Sequence, residues 1–186
     1  HRININSHDT FNNSSLSIRY FGEIFKFFLQ RQGIVIKGKI IFNEINHEAK
    51  IILSFKSPKT VLEIISACLK YSNNYIANQL FLTLGAKKFG YPATWEKARL
   101  AMEGFLEKEF NFDKPTPVIL EGSGISRKNS ISPKQLLKIL DRYKPWAQDT
   151  MPEKMSALMK SGTLSDVFCY AGYLYQDNKL DPFVLM

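Results

Sequence analysis

The chain has 186 residues, 45% of them hydrophobic and 23% charged, with a formal net charge of +8. That length and balance allow one domain with a hydrophobic core and exclude a globally disordered chain. The basic excess favours anionic partners. Its residues do not form a long run, however, since the nearest approaches are Lys87-Lys88 and Arg127-Lys128, so nucleic-acid binding ranks last among the readings.

The two cysteines, Cys68 and Cys169, form no CxxC pair, and three histidines give no zinc spacing. Two buried free thiols is the preferred reading, with a single disulfide as the alternative in an oxidising compartment. No transmembrane stretch is present. The polar start His1-Arg-Ile-Asn-Ile lacks the apolar core of a signal peptide, so any export signal would lie outside this chain.

In chain order, residues 1–13 are polar and Asn-rich and read as a loose lead-in to a domain running from residue 14 to 186. Ser14 or Ser15 caps a predicted helix through Leu16, Tyr20, Ile24, Phe27 and Phe28, which Gly33 ends. The β-branched run 34–42 and residues 49–56 are predicted strands. Ser57-Pro58 is expected to open a helix that stops near Tyr71. After Ser72-Asn73-Asn74, a helix through Ile76, Leu80 and Leu84 is expected to be capped by Gly85.

An amphipathic helix follows at 94–109, then the Gly/Ser turn Glu121-Gly-Ser-Gly-Ile-Ser-Arg, then a short helix from Pro133 to Arg142. The tail reads as three consecutive strands, with Asp177-Asn178 as the turn between the last two. Helices first and a strand meander last predict an α/β (α+β) fold, an antiparallel sheet covered by helices.

Lys160-Ser161-Gly162-Thr163 begins or lies within the first tail strand. A lysine there can bind a carboxylate, and the neighbouring hydroxyl can donate to the same group. Glycine lets a ligand backbone lie against the strand, and the Thr163 N–H can stabilise an oxyanion. Ser72 and Asn74, two apart on an inter-helix turn, can both point into a cleft. Each motif alone is weak: Ser72 is as readily the N-cap of the next helix, and Lys160 a solvated strand residue.

Together they form the Ser-x-Asn and Lys-Ser/Thr-Gly pair of β-lactamases and penicillin-binding proteins. The surroundings resemble one branch of that superfamily, the low-molecular-mass D-alanyl-D-alanine carboxypeptidase/endopeptidases (class C penicillin-binding proteins). The matching stretches are Leu29-Gln-Arg-Gln-Gly-Ile-Val-Ile-Lys-Gly, Ser57-Pro-Lys-Thr-Val-Leu-Glu-Ile-Ile, Tyr71-Ser-Asn-Asn-Tyr-Ile-Ala-Asn-Gln-Leu, Leu82-Thr-Leu-Gly, Glu121-Gly-Ser-Gly-Ile-Ser-Arg and Lys160-Ser-Gly-Thr-Leu.

The resemblance implies a transpeptidase-like fold and a periplasmic or envelope serine peptidase. Its substrate would be the peptidoglycan stem peptide and its inhibitors β-lactams, with neither metal nor organic cofactor. It also implies roles. A Ser-x-x-Lys serine attacks the D-Ala-D-Ala carbonyl, and Ser72 relays a proton to the leaving amine. Asn74 holds the substrate amide, Lys160 and Ser161 grip the terminal carboxylate, Gly162 leaves room, and the Thr163 N–H supplies half of an oxyanion hole.

The sequence departs from that family in three places. No serine has a lysine three residues on; Ser66 and Lys70 are four apart, and Ser57-Pro-Lys and Ser132-Pro-Lys two. The simplest explanation is a piece of a longer protein, and the rival is a non-catalytic homologue that binds muropeptide or a protein partner. The link from Trp146 to Lys160 is shorter than in the family and lacks its Asp-Gly-Thr-Leu stretch. Asn78 stands where relatives commonly carry Glu. Gly122-Ser123-Gly124 lacks the glycine spacing of a nucleophile elbow and reads as a structural turn. His8 and His47 have no acid at a spacing that suggests a triad.

Overall fold

The computed structural model describes residues 15–41, 46, 48–112, 115–177 and 179–186. The lead-in 1–13, Phe42 at the end of the first expected strand, His47 and the turn residue Asn178 lie outside them. The chain divides into two compact units, His1–Ser57 and Pro58–Met186.

In the first unit, helix α1 spans Ser15–Arg31. It ends as the sequence predicts. Gly33 takes φ +80° and donates to the Gln30 carbonyl (3.0 Å), and Ile34 donates to the Leu29 carbonyl (3.1 Å), the pair of bonds that closes a Schellman motif. The two expected strands do not form over the described residues of 34–42 and 49–56. A strand exists only when its N–H and C=O groups bond to a neighbour, and β-branched composition supplies no neighbour. Ile51, Ile52, Leu53 and Phe55 are each more than four-fifths exposed, so 49–56 has no buried face, while in 34–41 Ile36 and Ile40 are half-buried.

The second unit carries the core. Helix α2, Val61–Tyr71, starts later than Ser57-Pro58 suggests because Thr60 is its N-cap. Thr60 accepts from the Glu63 N–H, and Glu63 accepts from the Thr60 N–H, a reciprocal capping box. Helix α3, Asn74–Phe89, runs past Gly85 to a cap at Gly90. Gly85 has a different purpose: a Cβ there would lie 2.4 Å from the Ala98 nitrogen, so its absence lets α3 touch helix α4, Trp95–Phe110. Ala98 is wholly buried at that contact. Helix α5, Pro133–Tyr143, begins with a second capping box, Ser132 and Gln135. A short 3-10 turn, Lys144–Trp146, leads to α6, Ala147–Thr150.

Four antiparallel strands follow in the order β1-β2-β3-β4: Glu153–Lys154, Ala157–Leu164, Val167–Gln176 and Lys179–Leu185. The three expected tail strands are therefore present, with a two-residue strand added before them. Leu140, Ala147, Met151, Leu158 and Tyr173 form the central cluster, against which Leu69 of α2 and Val184 of β4 pack. Tyr173 is fully buried and its hydroxyl donates to the Leu140 carbonyl (2.6 Å), fastening α5 to the sheet. Gly172 is required beside it, because a Cβ would meet the Leu158 oxygen at 2.0 Å. The molecule is thus a mixed fold of helices and an antiparallel sheet.

Candidate active site

Two structural junctions converge on one cleft of about 320 Å³. The first is the break between α2 and α3. Ser72 closes α2 in the left-handed conformation (φ 50°), its N–H bonded to the Cys68 carbonyl. Asn73, not Ser72, is the N-cap of α3, with its side chain accepting from the Ile76 N–H (3.0 Å). That division leaves the Ser72 hydroxyl and the Asn74 amide without a hydrogen bond among the described residues, and both line the cleft. A non-glycine residue at positive φ is strained, and such strain collects at functional sites.

The second junction is β2. Lys160, Ser161 and Gly162 line the same cleft; Thr163 is exposed and does not. Met159 donates to the Pro152 carbonyl (2.9 Å) on the outer edge of β2. Backbone direction alternates along a strand, so the Ser161 and Thr163 N–H groups face that same edge. Beyond Leu158 no described strand pairs with it. The expected Thr163 role was a backbone one, and its N–H has that open orientation.

The Lys160 ammonium is half-buried and donates to the Ser161 carbonyl (2.6 Å). Burial, reinforced by the charge of Lys154, lowers its pKa from the ordinary lysine value, while Cys169 and Cys68 pull the other way. Among the described residues lining the cleft it alone has a charged side chain, so an incoming carboxylate would meet an under-solvated cation.

The Gly/Ser turn forms a third wall through Gly122 and Ser123. Its shape is set by two buried side chains. The Asn78 amide oxygen accepts from the Gly122 and Ser123 N–H groups (2.9 and 3.1 Å). The Glu121 carboxylate accepts from the Ser123 and Ser126 N–H groups, the Asn129 amide and the Ser123 hydroxyl. Burial pulls the Glu121 pKa up, but the bonds from Ser123, Ser126 and Asn129 outweigh it and hold the carboxyl below its usual range. Ser123 is thus in the cleft while its hydroxyl is engaged by Glu121, in keeping with a turn residue. Asn78, whose consequence the sequence left blank, is the anchor that fixes this turn to α3. Outside the cleft, Arg127 bonds to Asp166 and to the Ser165 hydroxyl (3.2 Å), joining the turn to the β2–β3 hairpin tip.

Sequence reasoning did not place the two thiols at the site. Both are free, as preferred, but half-buried instead of buried, and both line this cleft. The signals were there. Cys68 lies in the last turn of α2, four residues before Ser72, whose N–H bonds to the Cys68 carbonyl. A two-residue turn at Ser165-Asp166 fixes the hairpin register that sets Cys169 against Gly162. A Cβ on Gly162 would come within 2.5 Å of the Cys169 sulfur, so the glycine makes room for the thiol as well as for a ligand.

A helix-backed antiparallel sheet, whose first long strand presents Lys-Ser-Gly to a Ser-x-Asn helix break, defines the penicillin-binding class of fold. Comparison with known proteins narrows this. Residues 12–169 match the D-Ala-D-Ala carboxypeptidase 3 (S13) family, and the chain belongs to that family.

The D-alanyl-D-alanine carboxypeptidase DacB of Haemophilus influenzae is 27% identical over 122 residues, covering 66% of this chain and 25% of the relative. The crystal structure of penicillin binding protein 4 (dacB) from the same organism, complexed with a novel β-lactam, superposes with a TM-score of 0.73 at 22% identity. That match covers 89% of this chain and 43% of the other. A predatory endopeptidase of Bdellovibrio bacteriovorus matches with a TM-score of 0.54 at 17% identity, over 67% of this chain and 37% of its own. The chain therefore spans a quarter to under half of the relatives it matches. No helix among the described residues is long and apolar enough to cross a membrane.

Proposed function

We propose that this chain supplies three walls of the active site of an envelope serine peptidase acting on D-Ala-D-Ala stem peptides of peptidoglycan. The observation that carries the reading is the convergence of Ser72 and Asn74 with Lys160, Ser161 and Gly162 on one cleft. Family membership supports the peptidase class. The Lys160 ammonium and Ser161 hydroxyl bind the peptide's terminal carboxylate. Asn74 donates to the carbonyl of the penultimate amide. The peptide lies along the open edge of β2, which Gly162 leaves uncrowded.

A serine hydroxyl attacks the scissile carbonyl, and the negative charge that develops on its oxygen is held by the outward Thr163 N–H. The C–N bond breaks, and Ser72 passes on to the departing amine the proton that the attacking hydroxyl gave up. Water then hydrolyses the acyl ester. A β-lactam follows the same path and stays as the acyl form. The nucleophile and its lysine come from outside this chain, in keeping with the absence of a Ser-x-x-Lys spacing in its sequence. That absence equally favours a second reading, a homologue that binds muropeptides without cleaving them.

Intact-protein mass after incubation with benzylpenicillin separates these. This chain alone should gain no mass, and the longer gene product should gain one penicilloyl group. No adduct on the longer product selects the binding homologue. An adduct on this chain alone would mean that Ser72 or Ser123 is the nucleophile, and the role assignment above would fall.

A further inference from the structure

We propose that the floor of the cleft is a two-thiol modification site, Cys68 and Cys169, that takes disulfides of small anionic thiols and holds the mixed disulfide in front of Lys160. The two cysteines come from different elements, α2 and β3, yet line one cleft with Lys160. Neither is bonded to the other and neither is fully buried. Each sulfur is within 3.5 Å of a backbone carbonyl, Asn73 for Cys68 and Gly162 for Cys169, which anchors it at the cleft wall. Gly162 leaves open the space that a side chain would take from the Cys169 sulfur.

Among the described residues lining the cleft, Lys160 alone has a charged side chain, and both thiols share the cleft with it. A cation in the cleft attracts an anionic reagent. At Cys68 burial pushes the thiol up, and the charge of Lys160 opposes it.

The step is a thiol–disulfide exchange. The cysteine thiolate attacks one sulfur of the small disulfide, the S–S bond breaks, and the second sulfur leaves with the electron pair and takes a proton from water. The protein gains one mixed disulfide, and the disulfide supplied is the oxidant. The exchange itself does not depend on the peptidase reading. Only its consequence does, because the adduct would occupy the carboxylate grip.

The test treats the natively folded 186-residue chain with oxidised glutathione, which is anionic, and in parallel with cystamine, which is cationic, and follows intact mass and peptide maps. Expected are adducts at Cys68 and Cys169, assigned with Cys68→Ser and Cys169→Ser and removed by reductant. Oxidised glutathione should react several-fold faster than cystamine. That preference should shrink in Lys160→Gln and, independently of any variant, at high ionic strength.

Labelling that appears only after denaturation overturns the proposal. So does a rate indifferent to reagent charge, to salt and to Lys160→Gln. If the adducts form but unmodified protein binds no D-Ala-D-Ala peptide, the functional reading fails and the thiol site stands. If peptide binds and no adduct forms, the reverse holds.

Discussion

In the carboxylate-binding role proposed for Lys160, a single environment sets both affinity and its pH range. Burial and the neighbouring Lys154 depress its pKa below 10.5, so it loses its proton earlier than a free lysine as pH rises. Binding of a D-Ala-D-Ala peptide should be full at neutral pH and should decline as pH climbs through that lowered value; a binding isotherm flat up to pH 10.5 would contradict the carboxylate role. Lys160→Ala removes a charge-assisted hydrogen bond, about 1.5–3 kcal/mol, and should weaken the peptide roughly tenfold or more. Glu121 works in the opposite sense. Its folded pKa is lowered, so its contribution to stability is present above the ordinary value of 4.5 and is lost as pH falls through the lowered one. Glu121→Gln should flatten the acid limb of a plot of Tm against pH, and should cost about 1–3 kcal/mol at neutral pH because buried donors lose their acceptor. Gly162 offers a cleaner packing test. Gly162→Ala should destabilise by about 1–3 kcal/mol, and Cys169→Ala should restore most of that, since the clash is with its sulfur. Additive losses in the double variant would place the strain elsewhere.

At the scale of elements, the sequence was legible wherever the determining chemistry lies within a few residues. Gly33 ended α1 and Ser132 began α5 for local reasons, a left-handed turn and a side-chain cap. The three tail strands were legible because each is a run of strand-forming residues in one stretch. Thr60 was readable too, through the Glu63 three residues on, yet Pro58 drew the boundary early. Residues 34–42 and 49–56 failed for a different reason, since a ladder partner is not a property of the segment. Gly85 failed likewise: as a letter it signals a helix end, and only the approach of α4 explains it. Ser72, Asn74 and Lys160 could be named from motif spacing. Their convergence, and the thiols and Asn78 around them, depend on α2, α3, the Gly/Ser turn and β3 meeting in space. Gly85→Ala weighs these effects against each other. Alanine is the better helix former by about 1 kcal/mol, but its Cβ would meet backbone of Lys97 and Ala98, which yields less readily than a side chain. The clash should win, with a net loss of about 1–2 kcal/mol by chemical denaturation, whereas a stabilised variant would mean that α3 and α4 separate at little cost.

Over the whole chain, buried residues are unevenly distributed. Among the described residues, every buried hydrophobic one lies between Phe81 and Tyr173, inside the unit Pro58–Met186. That unit also contains every residue lining the candidate cleft. In the first unit, the described parts of 34–56 form no ladder and expose Lys37, Lys39, Lys50 and Lys56 beside unburied apolar side chains. Proteases cut backbone that opens locally, and local stability follows buried contact. Brief trypsin treatment should therefore cleave among those lysines first and leave a resistant fragment beginning near Pro58. Because the cleft residues travel with that fragment, it should keep the glutathione reactivity of Cys68 and Cys169 and a cooperative thermal transition near that of the uncut chain. Cuts spread evenly along the chain would indicate that burial in the second unit does not confer independent stability, and the cleft would then depend on residues before Pro58.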